Sequence, residues 1–467
     1  MADRPNILVF MTDDHGRWAT GCYGNREVQS PSLDHLAHDG ALMASAFTPC
    51  PVCSPARASF HTGLLPSAHG VHDYIDELGV GRDHPGIAGR PTLASALHDS
   101  GYRTGLVGKW HLNNFRSAPA GFDTWFTLAR GTNARFGEQR FYEGDREMVR
   151  HGQQATFLTD RAVRFLNEAS ASAPFFLFVG YTDTHTPHSS APRRLVRAVE
   201  DCRFDDAPLE DLDSAHGFAR IAFPRDAVER RRQLADYYAS VAMIDQQVGR
   251  VLDELDNLSL ADDTLVIYTA DHGHMNGHHG LHSKGNATVP QNFLEESILV
   301  PCMMRWPGHI TAGQRLDGLV DHCDLHATIR DAAGLAADES APGRSYLPAL
   351  LGRAMDWRDV QFCEYGNARM ARTARYKLIV RYAGPNGRFP DELYDLQADP
   401  RERCNCIDDP ACGAVVADLR AQIDAHFARH ETSACTGRDI ARQPICNGVQ
   451  PWVVTEVTLR QPKAARA

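Results

Sequence analysis

Short runs that are apolar at nearly every position alternate along this chain with segments whose apolar residues return at helical spacing. A strand buried on both faces reads as an unbroken apolar run rather than an alternation. By that criterion Asn6–Met11, Arg103–Gly108, Phe175–Tyr181 and Leu265–Ala270 are core strands. Between them lie candidate helices. Ser30-Pro31 supplies a cap and first turn, Leu33, Leu36 and Ala37 an apolar face, and Gly40 a stop. Further helices are expected over Thr92–Ser100 and Thr156–Ala169, and a long one through Leu234, Tyr237, Val241, Ile244, Val248, Val251 and Leu255. Alternation of this kind predicts an α/β fold: a mainly parallel sheet flanked by helices. From about Asp317 the texture changes. Another helix opens near Val320–Leu325, and Tyr376–Val380 and Glu392–Leu396 read as short strands. Residues 1–354 are therefore expected as the large α/β domain, and 355–467 as a smaller α+β domain docked on it.

Three of the core strands run directly into polar residues: Thr12-Asp13-Asp14, Thr182 to His188, and Asp271-His272-Gly273. Ligand sites of open α/β sheets gather beyond the carboxyl ends of strands, so these tips are expected to converge. Paired carboxylates such as Asp13 and Asp14 repel each other and call for a cation, a hydrogen-bond network or a raised pKa. With Asp271 and His272 they make a set of three carboxylates and an imidazole. Hard oxygen donors favour calcium, magnesium or manganese, a preference the imidazole loosens somewhat.

Composition narrows the partners. With 48 basic and 59 acidic side chains the chain carries a net charge of −11, which argues against nucleic acid and anionic membrane surfaces. A local cationic pocket can still govern an anionic substrate, because distant charges are screened within about 8–10 Å. No apolar stretch approaches the roughly 20 residues of a membrane span. Only Met1–Arg4 precede the first strand, leaving no room for a secretory signal, so a cytoplasmic location is expected. A reducing compartment argues against a disulfide framework for the 12 cysteines. Cys404, Cys406, Cys412, Cys435 and Cys446 crowd the C-terminal region without a standard zinc spacing.

The densest chemistry lies in Cys53-Ser54-Pro55-Ala56-Arg57, followed by Ala58 to Gly63. Pro55 suits the first turn of a helix. Unpaired N–H groups there welcome an anion, and Arg57 adds fixed positive charge. Cys50-Pro51-Val52-Cys53 also has Cys-x-x-Cys spacing, so a redox pair, half a zinc site or a buried structural cysteine are rival readings. Gly108-Lys109-Trp110-His111 puts Lys109 and His111 on one side if the segment is extended. Thr184-His185-Thr186-Pro187-His188 and Gly280-Leu281-His282-Ser283-Lys284 add cationic and imidazole groups. His274, His278, His279 and His282 crowd one loop, as pocket lining or as extra metal ligands.

The Cys53–Gly63 segment resembles the Cys-x-Pro-x-Arg signature of the formylglycine-dependent (type I) sulfatases, of the alkaline-phosphatase-like superfamily. The Gly101–His111 stretch resembles that family's second signature, and the resemblance extends through Pro301–Gly308 to Glu392–Leu396. It implies oxidation of Cys53 to formylglycine by a dedicated formylglycine-generating enzyme. One hydroxyl of the hydrated aldehyde attacks sulfur, and the other expels sulfate. It further implies that Asp13, Asp14, Asp271 and His272 bind one divalent metal, calcium first and magnesium or manganese otherwise, together with an oxygen of the group made from Cys53. Arg57, Lys109, His185 and Lys284 would contact the sulfate or stabilise the transition state, and His111 would take a proton. His188 is a weaker carry-over. The implied function is hydrolysis of a sulfate monoester, aryl or carbohydrate-type. His272 stands where many members have Asn, and related phosphonate monoester and phosphodiester hydrolases also use Asp-His, so that activity is the alternative. A silent binder of sulfated ligands is the non-enzymatic rival. Substrate choice is expected from 113–148, 189–224 and the C-terminal tail, where Pro451-Trp452 either closes a pocket or packs. A homodimer is the base-rate assembly.

Overall fold

The computed structural model describes residues 4–129, 136–169, 173–208, 217–385 and 387–453. Its centre is a ten-stranded sheet. In spatial order the strands are Gln314–Asp321, Ala41–Phe47, Cys302–Arg305, Thr264–Ala270, Asn6–Thr12, Phe175–Tyr181, Arg103–Gly108, Thr124–Leu128, Phe136–Glu143 and Arg146–Gln153. The central pairings are parallel, while Cys302–Arg305 and the last two strands run antiparallel to their neighbours. This is the expected α/β sheet flanked by helices.

Each face of the sheet carries its own apolar layer. Ile7, Val9, Met11, Phe176, Phe178, Leu265 and Ile267 point one way, toward the helices Cys53–Thr62, Leu93–Asp99 and His322–Ala332. Leu8, Phe10, Leu177, Val179, Val266 and Tyr268 point the other way, toward Pro31–His38, Gln154–Asn167 and Ala227–Asn257. Full burial of such side chains stabilises by about 1.5–3 kcal/mol each, so both layers hold the central strands rigidly. The register then does something specific. Thr12 pairs with Tyr181 on one side and with Ala270 on the other. All three strands therefore end on one rung, and the polar residues after each emerge side by side.

Two stretches depart from expectation. The span 113–148, expected as loop, holds the strand Thr124–Leu128 and most of the hairpin Phe136–Glu143/Arg146–Gln153. The second strand of that hairpin is largely exposed and polar, so it lacks the apolar run that marks the other strands. The long helix begins at Ala227, earlier than its apolar period, because Asp226 caps it by accepting from Glu229 N at 2.9 Å while the first turns face solvent.

The C-terminal region forms an antiparallel meander of Gln361–Tyr365, Ala368–Arg372, Tyr376–Arg381 and Glu392–Asp395. The helix Gly413–His430 lays Leu419, Ile423 and Phe427 on Ala371, Leu378, Val380 and Leu393. The other face of the meander packs Cys363, Tyr365, Met370 and Ile379 on Cys50, Val52 and Cys53. Trp452 joins this layer edge-on to Tyr365, a packing role. The small sheet thus backs the segment that delivers Cys53. Among the described residues the C-terminal cysteines join no group of three metal-ligating side chains. No helix of the described residues is long and apolar enough to cross a membrane.

Candidate active site

Cys53 is the first residue of a helix whose ten residues are all buried, preceded by Val52 in an extended conformation with no side-chain cap. The first-turn N–H groups at Cys53 therefore face the polar strand tips without a capping side chain. Four residues on, buried Arg57 donates from Nε to Asp271 Oδ2 at 2.9 Å and from Nη1 to the Lys109 carbonyl at 3.1 Å. One guanidinium thus ties the helix to two strand tips.

The carboxylates meet where the register puts them. Lys109 Nζ lies 2.5 Å from Asp13 Oδ2, and Lys284 Nζ lies 2.5 Å from Asp14 Oδ1 and 3.3 Å from Cys53 Sγ. His272 Nε2 stands 3.2 Å from Asp14 Oδ1, 3.3 Å from Asp271 Oδ1 and 3.8 Å from Asp13 Oδ1. His272 Nδ1 sits 2.8 Å from the Gly273 carbonyl, which requires a proton on Nδ1 and turns Nε2 toward the carboxylates. The loop carrying Asp14 is anchored from the long helix: Tyr237 Oη donates to the Asp14 carbonyl and accepts from Gly16 N, each at 2.9 Å. Asp14 itself has φ of 60°, a left-handed conformation that Asp tolerates better than most residues.

Electrostatics follow from burial and these neighbours. Burial alone would raise the Asp13 carboxyl, but Lys109, His185, Lys284 and Arg57 pull it well below the usual range. Asp271 goes the other way, to about 6, raised by burial and then by Asp13. Burial opposes a charge on His272, yet Asp271 and Asp14 raise it above its ordinary value. The Cys53 thiol would be raised by burial but is held well below its usual value by Lys109 and Lys284. Cys50, in contrast, is pushed well up by burial against Cys363. The two cysteines of the Cys-x-x-Cys spacing thus sit in opposite environments, and only Cys53 faces the charged groups.

This donor set fits a divalent cation. Asp13 Oδ1 and His272 Nε2 are buried without a hydrogen-bond partner. One ligand atom each from Asp13, Cys53, Asp271 and His272 lies within 4.8 Å of the others, and the same holds for Asp13, Asp14 and His185. Asp13, Asp14, Asp271 and His272 would hold such an ion, with Cys53 Sγ marking where an oxygen on residue 53 would stand.

Cys53, Lys109, His111, His185 and Lys284 share the wall of one cavity of about 690 Å³. Lys109 and His111 reach it differently than expected. The segment is not extended: Gly108 has φ of 115°, His111 has φ of 60°, and a Cβ on Gly108 would lie 2.1 Å from the Gly180 carbonyl oxygen. The bend turns both side chains to the cavity. His111 Nε2 lies 3.0 Å from the Ile75 carbonyl and donates to it, so in the neutral ring the lone pair is on Nδ1. His185 Nδ1 lies 2.7 Å from the Thr186 carbonyl, and burial as the first cause takes this imidazole down to about 4. The cavity rim takes Glu138, Gln139 and Arg140 from the span 113–148 and Arg220 from 189–224, both expected to shape substrate choice, and adds Tyr74, Asp76, Glu77 and Asn286, which the sequence did not single out. Nothing in their local pattern marked them, since each belongs to a polar stretch that only the fold brings over Cys53. His278 and His279 stand apart, bonded to the Asp206 carbonyl and to Glu296, each at 3.0 Å. His188, His274 and His282 form a separate group.

A helix start, a carboxylate–imidazole cluster at the ends of parallel strands and paired lysines thus meet at one cavity, in the crevice where open α/β sheets place their ligands. The family description "Sulfatase" matches residues 5–335, and "N-sulphoglucosamine sulphohydrolase, C-terminal" matches 277–429. The chain belongs to the sulfatase family and is a sulfuric ester hydrolase. It is 26% identical to an N-acetylglucosamine-6-O-sulfatase of Bacteroides thetaiotaomicron, over 86% of this chain and 82% of that one. It is 28% identical to a choline-sulfatase of Rhizobium meliloti, over 97% and 91%. A solved structure of a protein in complex with its substrate D-glucosamine-2-N,6-O-disulfate superposes with a TM-score of 0.77 at 23% identity, covering 91% of this chain and 98% of that one.

Proposed function

We propose that the protein hydrolyses sulfate monoesters of saccharides through residue 53, matured from Cys53 to formylglycine, with one divalent ion held by Asp13, Asp14, Asp271 and His272. The observation that carries this reading is Cys53 at a buried helix start, 3.3 Å from Lys284 and within ligand range of Asp13, Asp271 and His272. The saccharide class is supported by the sulfated sugars named for the relatives. When present, the hydrated aldehyde supplies one hydroxyl to attack sulfur and a second to release sulfate, while the cation supplies Lewis acidity.

The chain's own residues do the rest. Lys109 and Lys284 set fixed positive charge on either side of residue 53, where the sulfate's negative charge must rest; in a dry pocket each counts for more than in water. Arg57 holds Asp271 and Lys109 in place through its two hydrogen bonds. His111, with its proton committed to Ile75, offers Nδ1 to take a proton from residue 53. His185 lies at the cavity wall, 21% exposed, where an incoming anion would raise its pKa and let Nε2 donate to the leaving oxygen.

Two measurements test the reading. The tryptic peptide Glu27–Arg57 should carry the mass of the aldehyde after maturation in a host with the generating enzyme. Cys53→Ser should then fold yet lose multiple turnover, because a sulfated serine has no second hydroxyl to expel the group. Sustained turnover by that variant on a sulfated glucosamine or aryl sulfate contradicts the proposal. Higher catalytic efficiency on a matched aryl phosphonate or phosphodiester would overturn the choice of sulfate.

A further inference from the structure

Beside the carboxylate cluster lies a second convergence of ligand atoms with different chemistry. His188 comes from the segment after strand Phe175–Tyr181, His274 from two residues past His272, and His282 from the short strand His282–Ser283 paired with Met275–Asn276. One ring nitrogen of each lies within 4.8 Å of the other two. The ring centroids are 5.6, 5.8 and 5.1 Å apart, with every pair of planes near perpendicular at 80°, 81° and 85°.

Packing fixes this arrangement. His274 is fully buried, stacks on Tyr237 at 5.0 Å, and has no hydrogen-bond partner on either ring nitrogen. His282 Nδ1 lies 3.1 Å from the Asn276 side-chain oxygen, which places the proton on Nδ1 and leaves Nε2 as a lone pair. An acceptor on the far nitrogen is the device by which metal-bound histidines are oriented. Burying an imidazole with both nitrogens unbonded forfeits its hydration without replacement, so a purely structural core would favour an apolar ring at 274.

Neutral nitrogen donors select borderline transition ions over calcium or magnesium, and three histidines with an open fourth position are a zinc-type set. Asp14 stands between the two groups, with Oδ1 3.2 Å from His272 Nε2 and Oδ2 3.7 Å from His274 Nδ1. We propose that His188, His274 and His282 form a second metal site that takes a borderline divalent transition ion, Zn²⁺ foremost, beside the hard-ion cluster.

The test uses the full-length chain carrying Cys53→Ala, which removes the thiol as a competing ligand. The protein is stripped with chelator, saturated with Ca²⁺, titrated with Zn²⁺ and desalted before metal analysis. The expected result is one tightly held Zn²⁺ per chain, with an X-ray absorption shell of nitrogens at roughly 2.0–2.1 Å. Adding His282→Ala or His188→Ala should weaken that binding by more than the roughly 10–100-fold typical of an outer-shell change. Adding Asp13→Asn should leave it in place, which separates this site from the one proposed for hydrolysis. His282 is partly exposed, so its variant is the safer for folding, and circular dichroism checks it. Failure to retain Zn²⁺, equal retention in both histidine variants, or loss caused by Asp13→Asn alone would each overturn the proposal.

Discussion

Lys284 and Lys377 are both buried ammonium groups whose carboxylate neighbours, working against burial, raise them above the ordinary lysine value. Their surroundings differ in one respect. Lys377 Nζ meets Glu402 Oε1 at 2.6 Å, the Phe293 carbonyl at 2.7 Å and Glu295 Oε1 at 2.9 Å, which uses all three of its donors. Lys284 Nζ meets one carboxylate and one sulfur, at the wall of a cavity. The first is a closed network joining the small sheet to the segment around Glu295; the second keeps its charge available to a ligand. Burial and a shifted pKa alone do not separate a structural ion pair from a functional one. The count of satisfied donors and the presence of open space do.

That contrast predicts opposite phenotypes. Lys377→Ala leaves Glu295 and Glu402 buried without their shared cation, and urea unfolding should show a loss of about 3–5 kcal/mol. Turnover per folded molecule should stay near wild type; a large fall in turnover with unchanged stability would break the comparison. Lys284→Ala should lower kcat/KM on a sulfate ester by roughly 10²–10³-fold, the usual worth of one charge-stabilising donor. Its stability loss should be smaller than that of Lys377→Ala, and the reverse order would mean that Lys284 is structural. A smaller effect sharpens the rule at His279, which is bonded to Glu296 at 3.0 Å. Burial works against the charge on His279, but Glu296 raises it above its ordinary value. The pair's contribution is therefore full below about pH 6.5, the unfolded value, and is lost as pH rises through the folded one. Wild type should lose more stability than His279→Gln across that rise, read from urea midpoints at successive pH values.

Much of the fold, and the placing of several candidate residues at strand tips, was legible because each central strand is apolar on both faces and ends abruptly in charge. Asp13, Asp271 and His185 could be placed at strand tips from that pattern alone. Their meeting could not, since it depends on Thr12 sharing a rung with both Tyr181 and Ala270. Lys109 and His111 were correctly paired for the wrong geometric reason, because a left-handed bend rather than an extended alternation turns them inward. Tyr237 read as a core position of a long helix, and only the folded chain shows its hydroxyl holding the Asp14 loop. The span 113–148 was expected to shape substrate choice, but its hairpin was not legible as strands, because the partner strand Arg146–Gln153 is largely exposed and polar and carries no apolar run.

The common rung has one more implication. Because ladder pairing sets which residues emerge together at the three tips, the chemistry is indexed to strand length. A substitution beyond Thr12, Tyr181 or Ala270 changes one group at the tips and leaves the alignment of the others in place. A single residue inserted within Phe175–Tyr181 would instead swap its side chains between the two apolar layers and carry Thr184 and His185 out of phase with Asp13. A substitution at a tip costs this chain one group, whereas a miscounted step on the way there costs it a whole side of the site.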